Sequence, residues 1–140
     1  MSYTGKALSV EVLASGIAHL IFDLQDSSVN KFNQATLKEL QEVVSDLQNG
    51  NAKGLIISSA KSTFVVGADI TEFTAMFREP KETINAWLVE ANQLFSAIED
   101  LPMPTVTAIN GTALGGGFEL AVATDYRIAT ADALVGFPEV

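Results

Sequence analysis

The 140-residue chain has no cysteine, a single histidine, one tryptophan and four prolines. Without cysteine there are no disulfides, no thiol nucleophiles and no thiolate metal ligands. Basic residues are also scarce: 8 Lys and Arg stand against 17 Asp and Glu, a formal charge of −9. Nucleic acids and anionic membrane surfaces attract net basic footprints, so neither is expected as a partner. No apolar run approaches the ~20 residues of a membrane-spanning helix. The first eleven residues lack the apolar core of a signal peptide and already carry an acid, so a soluble cytoplasmic protein is expected. What the chain does have is aliphatic bulk, 48% hydrophobic against 18% charged. That is the composition of one folded domain, able to bury roughly two-thirds of the surface its unfolded form exposes.

Hydrophobic spacing divides the chain into alternating strands and helices. Residues 8–13 (LSVEVL) and 17–23 (IAHLIFD) alternate at period two around Ala14-Ser15-Gly16, which predicts a β-hairpin. Asn33 is a good N-cap for a helix carrying Leu37, Leu40, Val44 and Leu47 on one face, stopped by Asn49-Gly50-Asn51. The run Gly54-Leu55-Ile56-Ile57-Ser58 reads as a strand buried on both faces. Asp69 opens a short helix, and Glu72 three residues on predicts a capping box; Phe73 and Phe77 lie one turn apart on its apolar side. A longer amphipathic helix is expected over residues 82–99, with Ile84, Trp87, Leu88, Ala91, Leu94, Phe95 and Ile98 as a core stripe. Pro102 and Pro104 end it before a strand at 105–109. A glycine-rich turn (111–117) then feeds a helix at 118–123, followed by strands at 126–129 and 133–136. This alternation predicts an α/β fold with βαβ units.

Serine and zinc chemistry find no motif. There is no G-x-S-x-G elbow, nothing at H-x-x-H spacing, and His19 sits inside the first hairpin, where packing or surface roles are the ordinary ones. No metal site is expected. Two strand-to-helix passages remain. Asn110-Gly111-Thr112-Ala113-Leu114-Gly115-Gly116-Gly117-Phe118-Glu119 lets backbone approach a ligand at a helix start, where N–H groups are free. It lacks the G-K-[ST] of a phosphate loop and the third glycine of a dinucleotide fingerprint, where Leu120 stands, although Glu139 imitates the later ribose-binding acid. Close strand–helix packing explains the glycines equally well. The second passage is Phe64-Val65-Val66-Gly67-Ala68-Asp69-Ile70, which read alone is a capped helix start. In a parallel sheet, loops after strand carboxyl ends share an edge, so the two can converge on one ligand and offer paired N–H donors. Glu119 lies in the first turn after the glycines and Glu139 follows Pro138 at a strand end. An acid and a base flanking a polarised carbonyl suit proton abstraction beside it or water addition to a conjugated double bond. Spacing does not single these two out among 17 acids.

The motifs FVVGADI (64–70), PTVTAING (104–111), ALGGGFEL (113–120), TDYRIA (124–129) and GFPE (136–139) stand in the order and spacing of a known family. The chain resembles the crotonase (enoyl-CoA hydratase/isomerase) superfamily. Within it, Tyr3-Thr4-Gly5-Lys6-Ala7, Ser28-Val29-Asn30-Lys31-Phe32 and Glu99-Asp100-Leu101-Pro102 are similar to the subgroup of bacterial fatty-acid oxidation complex α-subunits. The resemblance implies a ββα-superhelix spiral, of which residues 1–140 are a partial, N-terminal portion that the family fold continues on the C-terminal side. It implies a coenzyme A thioester as substrate, hydration of trans-2-enoyl-CoA and Δ3-Δ2 isomerisation. By the same resemblance the oxyanion hole falls on Val66, with Gly67 its neighbour, and on Gly116. Gly67, Ala68, Asp69, Ile70, Gly115 and Gly117 would line the thioester. Glu119 would deprotonate water for attack at C3, and Glu139 would deliver the proton to C2 or shuttle it between C2 and C4. No cofactor is implied for this segment, NAD belonging to a dehydrogenase part of such α-subunits, and a thiolase β-subunit is the implied partner. Lys31 and Lys61 are candidates for the phosphates of coenzyme A, against an ordinary surface role. Two rivals remain: an acyl-CoA-binding or assembly fragment without turnover, and a dinucleotide-binding domain.

Overall fold

The alternation at the start of the chain builds one edge of a sheet. In the computed structural model, which describes residues 2–140, β1 (Tyr3–Thr4), β2 (Leu8–Val12) and β3 (Ile17–Phe22) pair antiparallel. The expected hairpin is present, with Leu8 opposite Phe22 and Val12 opposite Ala18. From β3 onward the pairing is parallel, because each further strand is reached through a helix: β3, β4 (Gly54–Ser59), β5 (Thr105–Ile109) and β7 (Tyr126–Ala129) complete a six-stranded sheet. The connecting helices are α1 (Gln34–Asn49), α2 (Ile70–Met76), α3 (Lys81–Glu99) and α4 (Gly116–Ala123). Two short strands, β6 (Ala113–Leu114) and β8 (Val135–Gly136), pair parallel outside the main sheet.

One face of the sheet carries the core. Leu8, Val10, Leu20, Phe22, Leu55, Ile57 and Ile109 are buried with Leu40, Val43, Val44 and Leu47 of α1, Leu94 and Ile98 of α3, and Leu120 of α4. The other face is only partly covered. Ile56 and Ser58 are half-buried, so the expectation that residues 54–58 are buried on both sides is corrected: the helices lie on one side, and β4 alternates. The long helix also differs from its sequence pattern. Leu94 and Ile98 are buried, but Trp87 and Phe95 are half-buried and Leu88 is exposed, so the burial is concentrated in the second half of α3. Trp87 instead meets Phe73 edge-on across the gap to α2, at 6.3 Å between ring centroids.

Caps mostly follow the sequence. The Asn33 side chain accepts from the Thr36 amide at 2.8 Å. Asp69 accepts from Thr71 at 3.0 Å, but Glu72 does not reach back to complete a capping box; its carboxylate accepts the Gln34 amide at 3.1 Å, tying α2 to the start of α1. Glu39 of α1 accepts three successive amides, from Lys6, Ala7 and Leu8, and so closes the turn between β1 and β2. Among the described residues no helix is long and apolar enough to cross a membrane.

Two predictions follow from this packing. Leu40 is completely buried, so Leu40→Ala is expected to lower unfolding free energy by about 2–5 kcal/mol in urea denaturation, from lost burial and the cavity left behind. Burial, together with the charges of Glu39 and Glu42, pushes the Tyr3 hydroxyl from 10.0 up to about 12. A raised folded value favours the neutral phenol, so its contribution is complete below pH 10.0 and is lost as pH climbs through about 12. Melting curves of wild type and Tyr3→Phe across that alkaline range should converge, the wild type losing stability that the variant never had.

Candidate active site

The two strand-to-helix passages are joined through the main chain. Phe64 donates to Thr112 at 3.0 Å, and Leu114 donates to Val65 at 3.1 Å. The extended stretch before the first bend therefore lies alongside the stretch before the second. On its other side the same stretch pairs with residues 30–32. Val66 donates to the Asn30 carbonyl at 2.9 Å, Phe32 donates to Gly67 at 2.8 Å, and Asp69 donates to Phe32 at 2.9 Å, bracketing a parallel bridge between Phe32 and Ala68.

That pattern corrects one assignment. The Val66 N–H is already spent on Asn30 and points away from the glycine turn, so it does not serve as an oxyanion donor. In a parallel bridge, hydrogen bonds reach the residues on either side of the bridged one, and the bridged residue turns its own N–H to the opposite side. Here that residue is Ala68. Its amide has no acceptor among the described residues and faces the side on which the glycine turn packs. Sequence spacing could have found this only by knowing that Asn30 claims Val66. Gly67, at φ 104°, makes the bend in a conformation that side chains rarely adopt.

The other expected donor, Gly116, lies at the second bend. α4 begins at Gly116, two residues earlier than the sequence pattern gave, with Gly115 at its N-cap (φ 51°). Phe118 and Glu119 both donate to the Gly115 carbonyl at 2.9 Å, while Gly116, at the first helical position, has no acceptor among the described residues. The turn abuts the first bend: a side chain at Gly116 would lie 3.2 Å from Phe32 Cδ2, and one at Gly117 would collide with the Val65 carbonyl. Gly117 thus sets the close approach of helix and strand rather than offering a ligand contact.

Both predicted glutamates reach this turn. The position of a Gly116 side chain would be 3.9 Å from Glu119 Oε2, and a side chain at Gly115 would run into the Glu139 carboxylate. Glu119 arrives on the first turn of α4. Glu139 arrives because β8 pairs with β6, Gly115 donates to Gly136 at 3.0 Å, and the Phe137 ring packs on Phe118 at 4.9 Å. Both acids are exposed. The arrangement offers two amide donors and two carboxylates around one concave turn, the equipment for polarising a carbonyl and moving protons beside it.

The remaining candidates fall at its rim. Ile70 is exposed on the first turn of α2, and Asp69 caps that helix. Lys31 is 3.0 Å from Asp69 and Lys61 is 3.1 Å from Asp23, so each candidate phosphate ligand already faces a carboxylate. His19 Nε2 lies 2.7 Å from Ser58 Oγ and Nδ1 lies 3.3 Å from Glu11, an order resembling a hydrolytic triad. It spans the open face of β2, β3 and β4, whose amides are committed to their ladders, so no oxyanion hole accompanies it. A separate cavity of ≈ 460 Å³ opens between α1 and α3, lined by Leu37, Trp87, Ala91 and Leu94, and includes none of the predicted site residues.

Hydrogen bonds from Thr71 and Lys31 hold the Asp69 carboxyl below its ordinary value. A lowered folded value stabilises above the unfolded 3.8 and is lost as pH falls through the depressed one. Amide exchange at Thr71 should therefore quicken on acidification below about pH 3.8, with Asp69→Asn removing the pH dependence.

The family model described as enoyl-CoA hydratase/isomerase matches residues 14–140. The fatty acid oxidation complex subunit alpha of Pseudomonas putida (strain GB-1) is 52% identical over 141 residues, and that of Acinetobacter baumannii (strain AYE) 48%. Each match covers 100% of this chain and 20% of the relative, so the chain spans about one-fifth of the length of those curated relatives. Among solved structures, an enoyl-CoA hydratase/isomerase from Xanthobacter autotrophicus Py2 superposes with a TM-score of 0.87 at 26% identity, covering 97% of this chain and 50% of that one. An enoyl-CoA hydratase from Bacillus anthracis gives 0.82 at 29%, covering 95% and 51%. The α/β fold is the crotonase fold in part, and the chain belongs to the enoyl-CoA hydratase/isomerase family.

Proposed function

We propose that this chain carries the thioester site of an enoyl-CoA hydratase that also isomerises 3-enoyl to 2-enoyl thioesters in fatty-acid β-oxidation. The reading is supported above all by the convergence of the Ala68 and Gly116 amides with Glu119 and Glu139 at one turn. Those two amides would hold the thioester oxygen and take up the negative charge that develops as C3 is attacked. One such donor is worth roughly 2.7–4 kcal/mol of barrier. Glu119 would accept a proton from water as its oxygen bonds to C3; Glu139 would give a proton to C2, so that one water is added and no charge is left over. In isomerisation Glu139 would take a proton from C2 of the 3-enoyl thioester and return it at C4, which moves the double bond from C3–C4 to C2–C3, into conjugation with the thioester carbonyl. Coenzyme A enters as part of the substrate, and the segment itself needs no cofactor.

The relatives are named as subunit alpha of a fatty acid oxidation complex; in this proposal the chain is part of a larger multifunctional subunit, with a thiolase subunit as partner, in the cytoplasm. Lys31 and Lys61 would meet the phosphates of coenzyme A only by yielding their present pairings with Asp69 and Asp23. A second reading, acyl-CoA binding without turnover, is favoured by the exposure of both carboxylates, which leaves them open to bulk water rather than enclosed in a water-excluding site.

The test is the disappearance of the conjugated enoyl absorption of a trans-2-enoyl-CoA, followed beside its binding affinity. Glu119→Gln and Glu139→Gln are each expected to slow hydration by at least ~10²-fold with little change in affinity. Hydration at wild-type rates in both variants would refute the assignment of the acids. Affinity without turnover in the parent chain would favour the second reading.

A further inference from the structure

The conserved spacing of a parallel ladder is broken beside the first bend. With Phe32 accepting from Asp69, a regular parallel pairing would have Asn30, two residues earlier, accept from Gly67. It accepts from Val66 instead, so one extra residue is inserted between the two bonds, opposite a single step of the 30–32 strand. This is a β-bulge, with Gly67 at φ 104° taking up the extra length. The bulge is what carries the chain from a Val66 amide pointing at Asn30 to an Ala68 amide pointing away from that strand. Nothing within residues 66–68 themselves dictates it; it needs the Val65–Val66 stretch to be held one residue out of register.

Asn30 is placed to do this. It is 1% exposed and its side chain joins three segments. Oδ1 accepts the Leu24 amide at 2.9 Å, and Nδ2 is shared among the Phe22 carbonyl at 3.2 Å, Ser59 Oγ at 2.8 Å and the Phe64 carbonyl at 3.1 Å. Ser59 Oγ in turn donates to the Thr63 carbonyl at 2.6 Å. The ends of β3 and β4 are thus tied to Phe64, two residues before the amide that the Asn30 backbone accepts. A buried side-chain amide satisfied on both its oxygen and its nitrogen admits little other geometry.

We infer that Asn30 is a positioning residue for the thioester site: its side chain fixes the bulge that aims the Ala68 N–H, and it acts on the substrate carbonyl only through that amide. The inference rests on the two-amide reading above, and it adds a residue that neither touches substrate nor titrates. Lys31, its neighbour, pairs with Asp69, and Phe32 meets the bend through its backbone; Asn30 is the member of the Ser28–Phe32 motif whose buried side chain hydrogen-bonds to the stretch before the bend.

The test uses the 140-residue chain, Asn30→Ser and Ser59→Ala, with two readouts. In hydrogen exchange, both variants are expected to release the Val66 and Asp69 amides about tenfold faster relative to Leu55 and Ile57, as for the loss of one buried hydrogen bond. Protection at Leu55 and Ile57 reports that the sheet is intact; if Asn30→Ser fails to fold, Ser59→Ala, which removes one partner of Asn30 and leaves the residue in place, carries the test. The second readout is the 13C shift of the labelled thioester carbonyl of a bound trans-2-enoyl-CoA, which moves downfield when N–H donors polarise it. The variants should return that shift toward the free value while still binding. Unchanged exchange at Val66 and Asp69, or an unchanged carbonyl shift in a variant whose parent shows one, overturns the role of Asn30. A parent chain that binds the thioester without any shift overturns the two-amide reading itself, and the role of Asn30 toward substrate falls with it.

Discussion

Five backbone hydrogen bonds hold the middle of this molecule together: Phe64 to Thr112, Leu114 to Val65, Val66 to Asn30, Phe32 to Gly67 and Asp69 to Phe32. They make residues 64–69 the central strand of an irregular three-stranded seam, with residues 30–32 on one side and 112–114 on the other. Everything attributed to the site is a consequence of that seam. It brings two bends that are far apart in sequence to the same place, and it leaves the Ala68 amide on the inner side. Backbone donors suit this task because the peptide group cannot rotate away from its neighbours, whereas a side-chain donor loses rotamer freedom each time it is used. The cost is paid in glycine: the φ values of 104° at Gly67 and 51° at Gly115 are required wherever the seam turns sharply.

The electrostatics of the site set the backbone against the side chains. The chain carries −9 overall, and the acyl thioester of coenzyme A is itself a polyanion. The two basic residues nearest the bends are each matched to an aspartate, at 3.0 Å for Lys31 and 3.1 Å for Lys61. Positive potential at the turn therefore comes mainly from oriented N–H groups at the start of α4 rather than from free cations. These partial charges are short-range, falling off within the first turn of a helix. They suit the stabilisation of charge developing on one oxygen better than long-range attraction of a phosphate tail.

Regular elements were legible in the sequence because their signals are local. The alternation of residues 8–13 and 17–23 could only be a hairpin, and the Asn33 cap with Leu40, Val44 and Leu47 behind it could only be a helix. What was not legible depends on partners distant in the chain. Glu72 has the spacing of a capping box, but the Gln34 amide is a competing donor that spacing does not reveal. Trp87 and Leu88 continue an amphipathic stripe past the second half of α3, where its burial is concentrated. β6 is two residues long and is made by pairing with β8 alone, with no side-chain period to announce it, whereas β8 falls inside the strand expected at 133–136. The same reason explains Val66: whether an amide in the FVVGAD motif is free is decided by the carbonyl of Asn30, and the motif contains no trace of it. The resemblance pointed to this bend and this glycine turn, and the hydrogen-bond register shows that the amide without an acceptor at the bend is that of Ala68, the Val66 amide being bound to Asn30.

The two acids differ in how they are held, and this difference bears on their roles. Glu119 is in the first turn of a helix whose start is locked against Val65 by the absence of a side chain at Gly117, so its backbone has almost no freedom. Glu139 follows a two-residue strand, kept in place by the Gly115–Gly136 bond and the stacked rings of Phe118 and Phe137. A base that must orient a water for attack at a fixed carbon benefits from the rigid mount, since misplacing a reacting group by about 1 Å can cost 10²-fold. A group that carries a proton between two carbons of one substrate must reach both, and a short, lightly held segment allows that reach. On the proposed reading, the rigid mount goes with water activation by Glu119 and the lighter one with proton transfer by Glu139.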